Sequence, residues 1–414
     1  MNERLKKIII IIVFVLVVIG LAYAIYYLFF KPIAPEAPEV VEPVIEPGQL
    51  PEVSLGNINQ FITNVNEGLP SISRIPEEAQ VAEVANGGYT KVNSLTQTKL
   101  ISPQLNKSGS FNYYDEEDGR FYRFNPVDAS ISRLSDQRFF AVDNITWSDD
   151  SAKAVLEYPD GSNIIYDFNE NKQYTLPKEF QDFDFATNGN SLAAEVIGTR
   201  EETNWIVTAN VDGSNIQFVE RVGDQSDNVD INLSPNNQVV ALFRKNISAD
   251  NQEILFIGRN QENFKSLITN GRGFEGEWTP NGSRLLYSVY SADNGFRPTL
   301  WIAEASGDRI GLNNTNLGLN TWIDKCTMTS DSTKAYCSVP DELPNGSGLY
   351  RGLAAGTFDS FYQIDLTTGQ VSLLAQPVGN QIGYSVQRLF LSADESVLYF
   401  QDSYTGYLQS VNLK

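Results

Sequence analysis

One pattern of apolar and polar positions recurs from about residue 100 to residue 414. In each copy an apolar residue precedes a turn rich in Ser, Thr, Asp, Asn and Gly, and alternating apolar residues follow the turn. The copies begin at Leu105, Trp147, Ala186, Leu233, Trp278, Met328 and Leu391. Because polar turn residues between alternating apolar runs are typical of paired strands, each copy predicts a β-hairpin.

Further strands follow the hairpins. Apolar segments at residues 162–168, 204–210, 253–258 and 299–304 predict a third strand, and 172–176 is an example of a fourth. The repeats are spaced by 39 to 63 residues, which brackets the usual propeller period of about 40–50 and leaves room for one late insertion. Four antiparallel strands repeated radially form a propeller blade. The sequence therefore predicts an all-β, seven-bladed β-propeller.

The last repeat leaves room for only three strands after Leu391. The segment 88–96, which lies just before the first full repeat, supplies a further apolar and polar alternation. A strand that completes the final blade would close the ring and cover an exposed sheet edge. We therefore expect the propeller to span residues 88–414, with 88–96 as the closing strand of the last blade.

The repeat motifs resemble those of TolB-type, WD40-like propeller proteins, whose repeat core reads W-S-P-D-G before an apolar strand. The segment 278–282 (WTPNG) is the nearest match and 233–236 (LSPN) is the next, while no copy has the full motif. The resemblance covers about residues 100–414 and implies the fold. Such propellers serve in binding and in assembly, so the resemblance does not imply a ligand.

Residues 8–30 form an unbroken apolar run of 23 residues, which as a helix would span a bilayer core of about 30 Å. Arg4, Lys6 and Lys7 precede it, so residues 1–7 are expected to stay in the cytoplasm. A cleaved signal peptide is the competing interpretation, but such peptides have shorter apolar cores and small residues at the cleavage site. The run therefore predicts a signal anchor that crosses the cytoplasmic membrane once, with the propeller outside the cytoplasm.

Residues 31–87 are predicted to form a stalk and linker. The part 32–55 carries six prolines and five glutamates and no basic residue. Proline favours the polyproline II conformation and like charges repel one another, so this segment is expected to be an extended spacer.

Composition excludes several functions. The chain has no histidine, which rules out Ser-His-Asp and Cys-His catalysis and histidine-based zinc or copper sites. Its net charge of −21 disfavours nucleic acids as partners. We expect neither a cofactor nor a metal site. With 51 acidic residues, a glycan hydrolase that uses an Asp/Glu pair stays open as the alternative function.

The two cysteines, Cys326 and Cys337, flank the turn of one repeat. If that turn centres on residues 331–332, the two lie directly opposite each other in the hairpin, close enough for a disulfide. Two buried free thiols are the alternative. A disulfide requires an oxidising compartment, which agrees with the predicted topology.

The loops that join the second and third strands of the blades (b–c loops) lengthen along the chain, whereas the turns on the opposite face stay short. The two longest carry Phe296 with Arg297 and Tyr350 with Arg351. Aromatic and arginine side chains are common interface anchors. We expect a binding or scaffold module without catalytic activity, with a protein or saccharide ligand of the cell envelope on this face. Loop lengthening without function is the alternative.

Overall fold

The computed structural model describes residues 20–21, 80–381 and 383–414. The predicted membrane segment 8–30, apart from 20–21, and the stalk as far as residue 79 lie outside the described residues. Among the residues that are described, no helix is long and apolar enough to cross a membrane.

Seven antiparallel blades follow one another in chain order. Blade 1 contains β3 (Ile101–Leu105), β4 (Phe111–Asp115), β5 (Arg120–Phe124) and β6 (Ile131–Arg133). Blade 2 contains β7 (Asn144–Trp147), β8 (Lys153–Glu157), β9 (Asn163–Asp167) and β10 (Lys172–Leu176). Blade 3 contains β11 (Phe180–Phe185), β12 (Ser191–Val196), β13 (Trp205–Asn210) and β14 (Gln217–Arg221).

In blades 4 to 6 the second and third strands are longer than those of blades 1 to 3. Blade 4 contains β15 (Val229–Ile231), β16 (Val239–Asn246), β17 (Gln252–Gly258) and β18 (Leu267–Thr269). Blade 5 contains β19 (Arg272–Trp278), β20 (Arg284–Tyr290), β21 (Pro298–Glu304) and β22 (Thr315–Asn316). Blade 6 contains β23 (Cys326–Met328), β24 (Lys334–Pro340), β25 (Asp359–Asp365) and β26 (Val371–Val378).

Blade 7 completes the ring with β27 (Val386–Leu391), β28 (Val397–Asp402), β29 (Leu408–Asn412) and the early strand β2 (Asn93–Ser94). Short 3₁₀ helices lie in the connections at Glu201–Thr203, Gly223–Asn228, Ala292–Asn294, Gly307–Arg309, Ile323–Lys325 and Arg351–Ala354. The predicted all-β, seven-bladed propeller is therefore confirmed.

The hydrophobic core lies between adjacent blades. Phe256 of blade 4 packs edge-on against Trp278 of blade 5, with ring centroids 5.8 Å apart. Phe111 of blade 1 packs in the same way against Phe390 and Tyr399 of blade 7, at 5.2 Å each. Because the first blade packs on the last, the ring is closed.

The repeat motif forms the turn between the first two strands of a blade. In blade 2 the hydroxyl of Ser148 donates to Asp150 Oδ1 at 2.7 Å and accepts the backbone N–H of Lys153 at 3.0 Å. The same two bonds recur in the turns led by Ser234, Thr279, Thr329 and Ser392. The hydroxyl and the Asp/Asn of the motif are thus conserved in role because they satisfy the backbone of a tight turn.

The segment 88–96, expected as the closing strand of the last blade, pairs with two blades. Asn93–Ser94 pairs antiparallel with β29, whereas β1 (Tyr89–Lys91) pairs parallel with β26 of blade 6. The physical reason is the alternation of Thr90 and Val92, which are both buried; Val92 packs into a core shared by blades 6 and 7. One segment therefore joins two sheets.

Part of the expected linker also contacts blades 6 and 7. We call residues 82–94 the seam, because they join these two blades. Ala82 forms a bridge to Thr90, and Val84 forms a bridge to Asn412 of β29. The N–H of Gly87 donates to the carbonyl of Leu374 at 2.8 Å. Residues 82–87 therefore run along the outer strands of blades 6 and 7.

The two cysteines lie in blade 6, on its first two strands. Cys326 of β23 and Cys337 of β24 are direct partners in the register and are joined by a disulfide. They are the chain's two cysteines, so no cysteine is left with a free thiol.

Candidate functional site

The b–c loops of blades 5, 6 and 7 share one face of the propeller. They comprise residues 291–297, 341–358 and 403–407. The blade 6 loop is the longest of the three, as the sequence indicated. Short turns, such as the one led by Ser148, lie on the opposite face.

The blade 6 loop is fixed to the blade 5 loop by backbone hydrogen bonds. The N–H of Gly346 donates to Gly295 O and the N–H of Gly348 donates to Phe296 O, both at 2.8 Å. Arg297 Nε donates to the carbonyl of Leu343 at 2.7 Å. Arg297 is therefore committed to holding the two loops together, and the loops present one continuous surface.

Glycine is required at position 348 by this close approach. A side-chain carbon placed there would come within 2.5 Å of Tyr290 Cβ and 2.8 Å of the Phe296 carbonyl oxygen. Both distances are shorter than van der Waals contact, so a larger residue would push the loops apart.

Large apolar side chains cluster on this surface. Their exposed fractions run from 38% to 68%. We call this set the apolar patch; its members are Phe296, Leu349, Tyr350, Leu353 and Tyr404. Tyr404 of blade 7 approaches the blade 6 loop, because its Oη lies 3.5 Å from where a side-chain carbon at Gly356 would be.

Arg351 points away from the patch, although its neighbour Tyr350 belongs to it. Its guanidinium lies over the ring of Trp322, 4.6 Å from the centroid. Arg351 Nη2 also pairs with both carboxylate oxygens of Asp324, at 2.8 and 2.9 Å. Of the four predicted binding residues, Phe296 and Tyr350 are exposed on the surface. Arg297 and Arg351 are instead bound to other residues of the chain.

Asp324 stands at a central channel lined by the first strands of the blades. Carboxylates from five successive blades face a cavity of about 670 Å³. They belong to Asp149 between β7 and β8, Asp184 of β11, Asp230 of β15, Glu275 and Glu277 of β19, and Asp324 before β23. Arg388 of β27 lines the same cavity and an adjoining one of about 640 Å³ that also includes Glu277 and Asp324.

The channel holds more negative charge than it compensates. Burial raises the pKa of Asp184 to about 7; Asp149 and Asp230 act in the same direction, against the Leu233 N–H that donates to Asp184 at 2.7 Å. Burial likewise raises the pKa of Glu277 to about 7 although Arg388 opposes the rise, and that of Asp230 to about 6 although Arg244 opposes it. Proton uptake is favoured where carboxylates lack counter-charges.

A buried ion pair lies beside Asp324. We call the part of the channel next to Asp324 and Trp322 the channel mouth. Lys325 Nζ contacts both carboxylate oxygens of Asp359 at 2.8 Å, and both side chains are buried. Asp359 also accepts the N–H of Val386, the first residue of β27. The pair therefore links the 3₁₀ turn that carries Asp324 to the start of blade 7.

The channel carboxylates were missed by the sequence analysis, although a signal for them exists. Acidic residues stand one and three positions before the repeat motif in blade 5, as Glu277 and Glu275 before Trp278. In blade 3, Asp184 before Phe185 corresponds to Glu277 before Trp278, whereas Asp182 lines a neighbouring cavity with Asp230. Alternate residues of a strand share one face, so acidic residues at these two positions indicate a common lining. Within the described residues, no group of three His, Cys, Asp or Glu side chains could hold a metal ion.

The fold is a seven-bladed β-propeller, as the repeats predicted, and it is similar to the β-propellers of several solved structures. Oligogalacturonate lyase in complex with manganese is similar, with a TM-score of 0.53 and 12% identity over 78% of this chain and 93% of that one. The β-propeller domain of Cps50 (Swd1) from Myceliophteria thermophila gives 0.50 and 12%, over 78% and 100%. TolB from Acinetobacter baumannii gives 0.38 and 12%, over 73% and 78%.

At these identities the likeness concerns the fold alone. No family model matches the chain. No curated protein matches it either. Evidence about function therefore has to come from the surfaces of this propeller.

Proposed function

We propose that this protein is a membrane-tethered binding module outside the cytoplasm, and that a protein partner docks on the apolar patch without being chemically changed. The observation that carries the proposal is the patch itself. Large apolar side chains that are exposed on neighbouring loops often mark an interaction site. Aromatic residues on a rigid scaffold are also the common energetic centres of interfaces.

The rigidity of the patch favours binding over simple loop lengthening. Three hydrogen bonds fix the blade 6 loop to the blade 5 loop, and Arg351 fixes its far end to Trp322 and Asp324. A surface held in its bound shape loses little entropy on association. These contacts support a docking surface that is organised before its partner arrives.

The proposed location rests on two independent features. Residues 8–30 are apolar and follow a basic segment, which supports a cytoplasmic N-terminus and an anchor. The disulfide between Cys326 and Cys337 supports an oxidising compartment for the propeller. Thiol trapping tests this: cells are quenched in acid, the protein is denatured and alkylated without reduction, and neither cysteine should be labelled. Labelled thiols in freshly trapped cells would contradict the location.

The docking surface is tested by photocrosslinking in cells. A photoreactive phenylalanine analogue replaces Tyr350 in the patch or Phe218, an exposed residue of β14 on the outer edge of blade 3. We expect a discrete adduct with another protein from position 350 and none from position 218. Equal adducts at both positions, or none at position 350, would contradict the proposal.

A further inference from the structure

Resting on that proposed function, we infer that the docking partner presents a basic segment, in which apolar side chains cover the patch and a lysine or arginine enters the mouth of the channel. The patch and the mouth adjoin each other at two consecutive residues. Tyr350 faces outward in the patch, and Arg351 reaches inward to Asp324 at the channel. Tyr350 of the patch is therefore next in the chain to the residue that pairs with the channel carboxylate Asp324.

The mouth already shows how it holds a cation. Trp322 offers its ring face and Asp324 offers two carboxylate oxygens to a single guanidinium, that of Arg351. A ring face beside a carboxylate is a favourable environment for an arginine or lysine head group. The contacts of Arg351 thus show which groups, an aromatic ring face and a carboxylate, would surround a basic residue of the partner.

Counter-charges in the rest of the channel are few. Arg351 is paired with Asp324, and Arg244 donates to the backbone carbonyls of Asp227 and Phe274. Arg388 remains beside Glu277. Burial raises the pKa of Glu275 as well, and Asp324 raises it further. Glu275, Asp230 and Asp184 therefore leave a negative potential that a cationic segment would neutralise.

Charge also argues against the other occupants. A second copy of this chain would bring the same acidic face and a net charge of −21, so self-association at the channel mouth is opposed by repulsion. Anionic lipid surfaces and anionic polysaccharides are repelled for the same reason. A basic protein segment is the occupant whose charge complements the site.

The test uses the full-length protein in phosphatidylcholine nanodiscs and three fluorescent peptides of about ten residues. The first combines Trp and Leu with Lys and Arg, the second replaces its basic residues by Glu, and the third replaces its apolar residues by Ser. Fluorescence anisotropy reports binding. We expect the first peptide to bind most tightly, and its affinity to fall as salt increases.

Two charge variants make the measurement specific. Glu275→Gln/Glu277→Gln removes two channel carboxylates, and Glu116→Gln/Glu117→Gln removes two exposed ones in blade 1, so both change the net charge equally. We expect the channel variant to weaken binding of the first peptide by about tenfold and the control to leave it unchanged. Equal effects of the two variants, or equal binding of the acidic peptide, would overturn the inference.

A separate variant tests whether the apolar patch contributes to peptide binding. Tyr350→Ser/Leu353→Ser should weaken the first peptide by about tenfold or more, while unfolding curves check that each variant remains folded. Unchanged affinity in this variant would overturn the inference.

The inference and the proposed function fail in different ways. If an adduct forms from position 350 and the channel variant leaves its yield unchanged, the partner is not read through its basic charge and only the inference fails. If no adduct forms from position 350, the proposed function fails as well.

Discussion

In several repeat turns one residue other than glycine has a strained backbone conformation, which the repeat pattern does not indicate. Each turn has one residue with a left-handed backbone, at the place where the repeat family has glycine. In this chain the residues are Gly109, Ser151, Gly189, Asn237, Gly282, Ser332 and Glu395, with φ between 54° and 80°. A side chain in this conformation costs about 1–2 kcal/mol. The turns of blades 2, 6 and 7 therefore store strain that glycine would relieve.

Ser151→Gly is expected to stabilise the protein. Ser151 is only 2% exposed, and its hydroxyl has no hydrogen-bond partner within the described residues. Removing that group and the left-handed strain should outweigh the larger chain entropy of glycine in the unfolded state. We expect the free energy of unfolding to rise by about 0.5–1 kcal/mol in urea titrations.

Ser332→Gly is the matched control. Ser332 has the same backbone conformation, but its hydroxyl accepts the Asn281 N–H at 3.0 Å. This variant loses a hydrogen bond and should gain less. A loss of stability in Ser151→Gly would show that strain is not the dominant effect.

The buried pair of Lys325 and Asp359 lies beyond what sequence reasoning could predict, because 34 residues separate the two and no motif joins them. Lys325→Met leaves the buried carboxyl group of Asp359 without its cation. We expect the free energy of unfolding to fall by about 3–5 kcal/mol in denaturant titrations. The double variant Lys325→Met/Asp359→Leu should recover part of this loss, and a double variant as unstable as the single one would contradict the explanation. The disulfide, by contrast, was predictable since the two cysteines flank one short turn.

At the scale of elements, strands and turns followed from the local repeat, whereas loop packing did not. The length of loop 341–358 was visible in the sequence, but its hydrogen bonds to loop 291–297 were not, because they join different repeats. The closing segment shows the same limit. Its pairing with the last blade followed from a missing strand, and the added pairing of Tyr89–Lys91 with blade 6 depends on contacts that no repeat encodes.

Gly348→Ala tests the loop pair. The added methyl group would overlap Tyr290 and the Phe296 carbonyl, so the blade 6 loop should separate from the blade 5 loop. We expect faster hydrogen exchange of the amides in 341–358 and a weaker adduct from position 350, with a loss in stability of about 1–3 kcal/mol.

Gly88→Ala serves as the control for this change, since its nearest neighbour, Asn86 Oδ1, would be 3.5 Å away. It should leave exchange in 341–358 unchanged. If Gly348→Ala also leaves that exchange unchanged, the two loops are not held together as described.

For the molecule as a whole, the number of blades was predictable and the character of the channel was not. The number of blades equals the number of repeats, and each repeat is recognised from local sequence without reference to long-range contacts. The channel exists only when the first strands of those repeats meet, so carboxylates far apart in sequence, such as Asp184 and Glu277, acquire a common environment. Within one strand these acidic residues occupy ordinary polar positions. In the closed ring they face one channel and together produce a negative electrostatic potential.

This field predicts how stability depends on pH. The pKa values of Asp184 and Glu277 are raised to about 7 and that of Asp230 to about 6, whereas carboxyls of the unfolded chain titrate near pH 4. Between these values the folded protein binds more protons than the unfolded chain. Stability should therefore fall as the pH rises from about 5 to about 8, and thermal unfolding monitored by circular dichroism measures it.

Asp184→Asn should reduce that slope, because the amide cannot ionise but still accepts the Leu233 N–H. After allowance for contact with channel water, we expect the variant to lose about 1 kcal/mol less unfolding free energy than the wild-type protein between pH 5 and pH 8. Glu116→Gln, at an exposed position, should leave the slope as it is. Stability that rises with pH over this range would contradict the assignment.

The seam at residues 82–94 has a mechanical consequence. A pull on the N-terminal segment, such as a tether would transmit, arrives at the place where the ring closes. Opening the ring from there requires detaching β1 from blade 6 and then β2 from blade 7, with Val92 drawn out of the core between them. Two sheets in succession thus hold this segment, and both must release it before the ring can open.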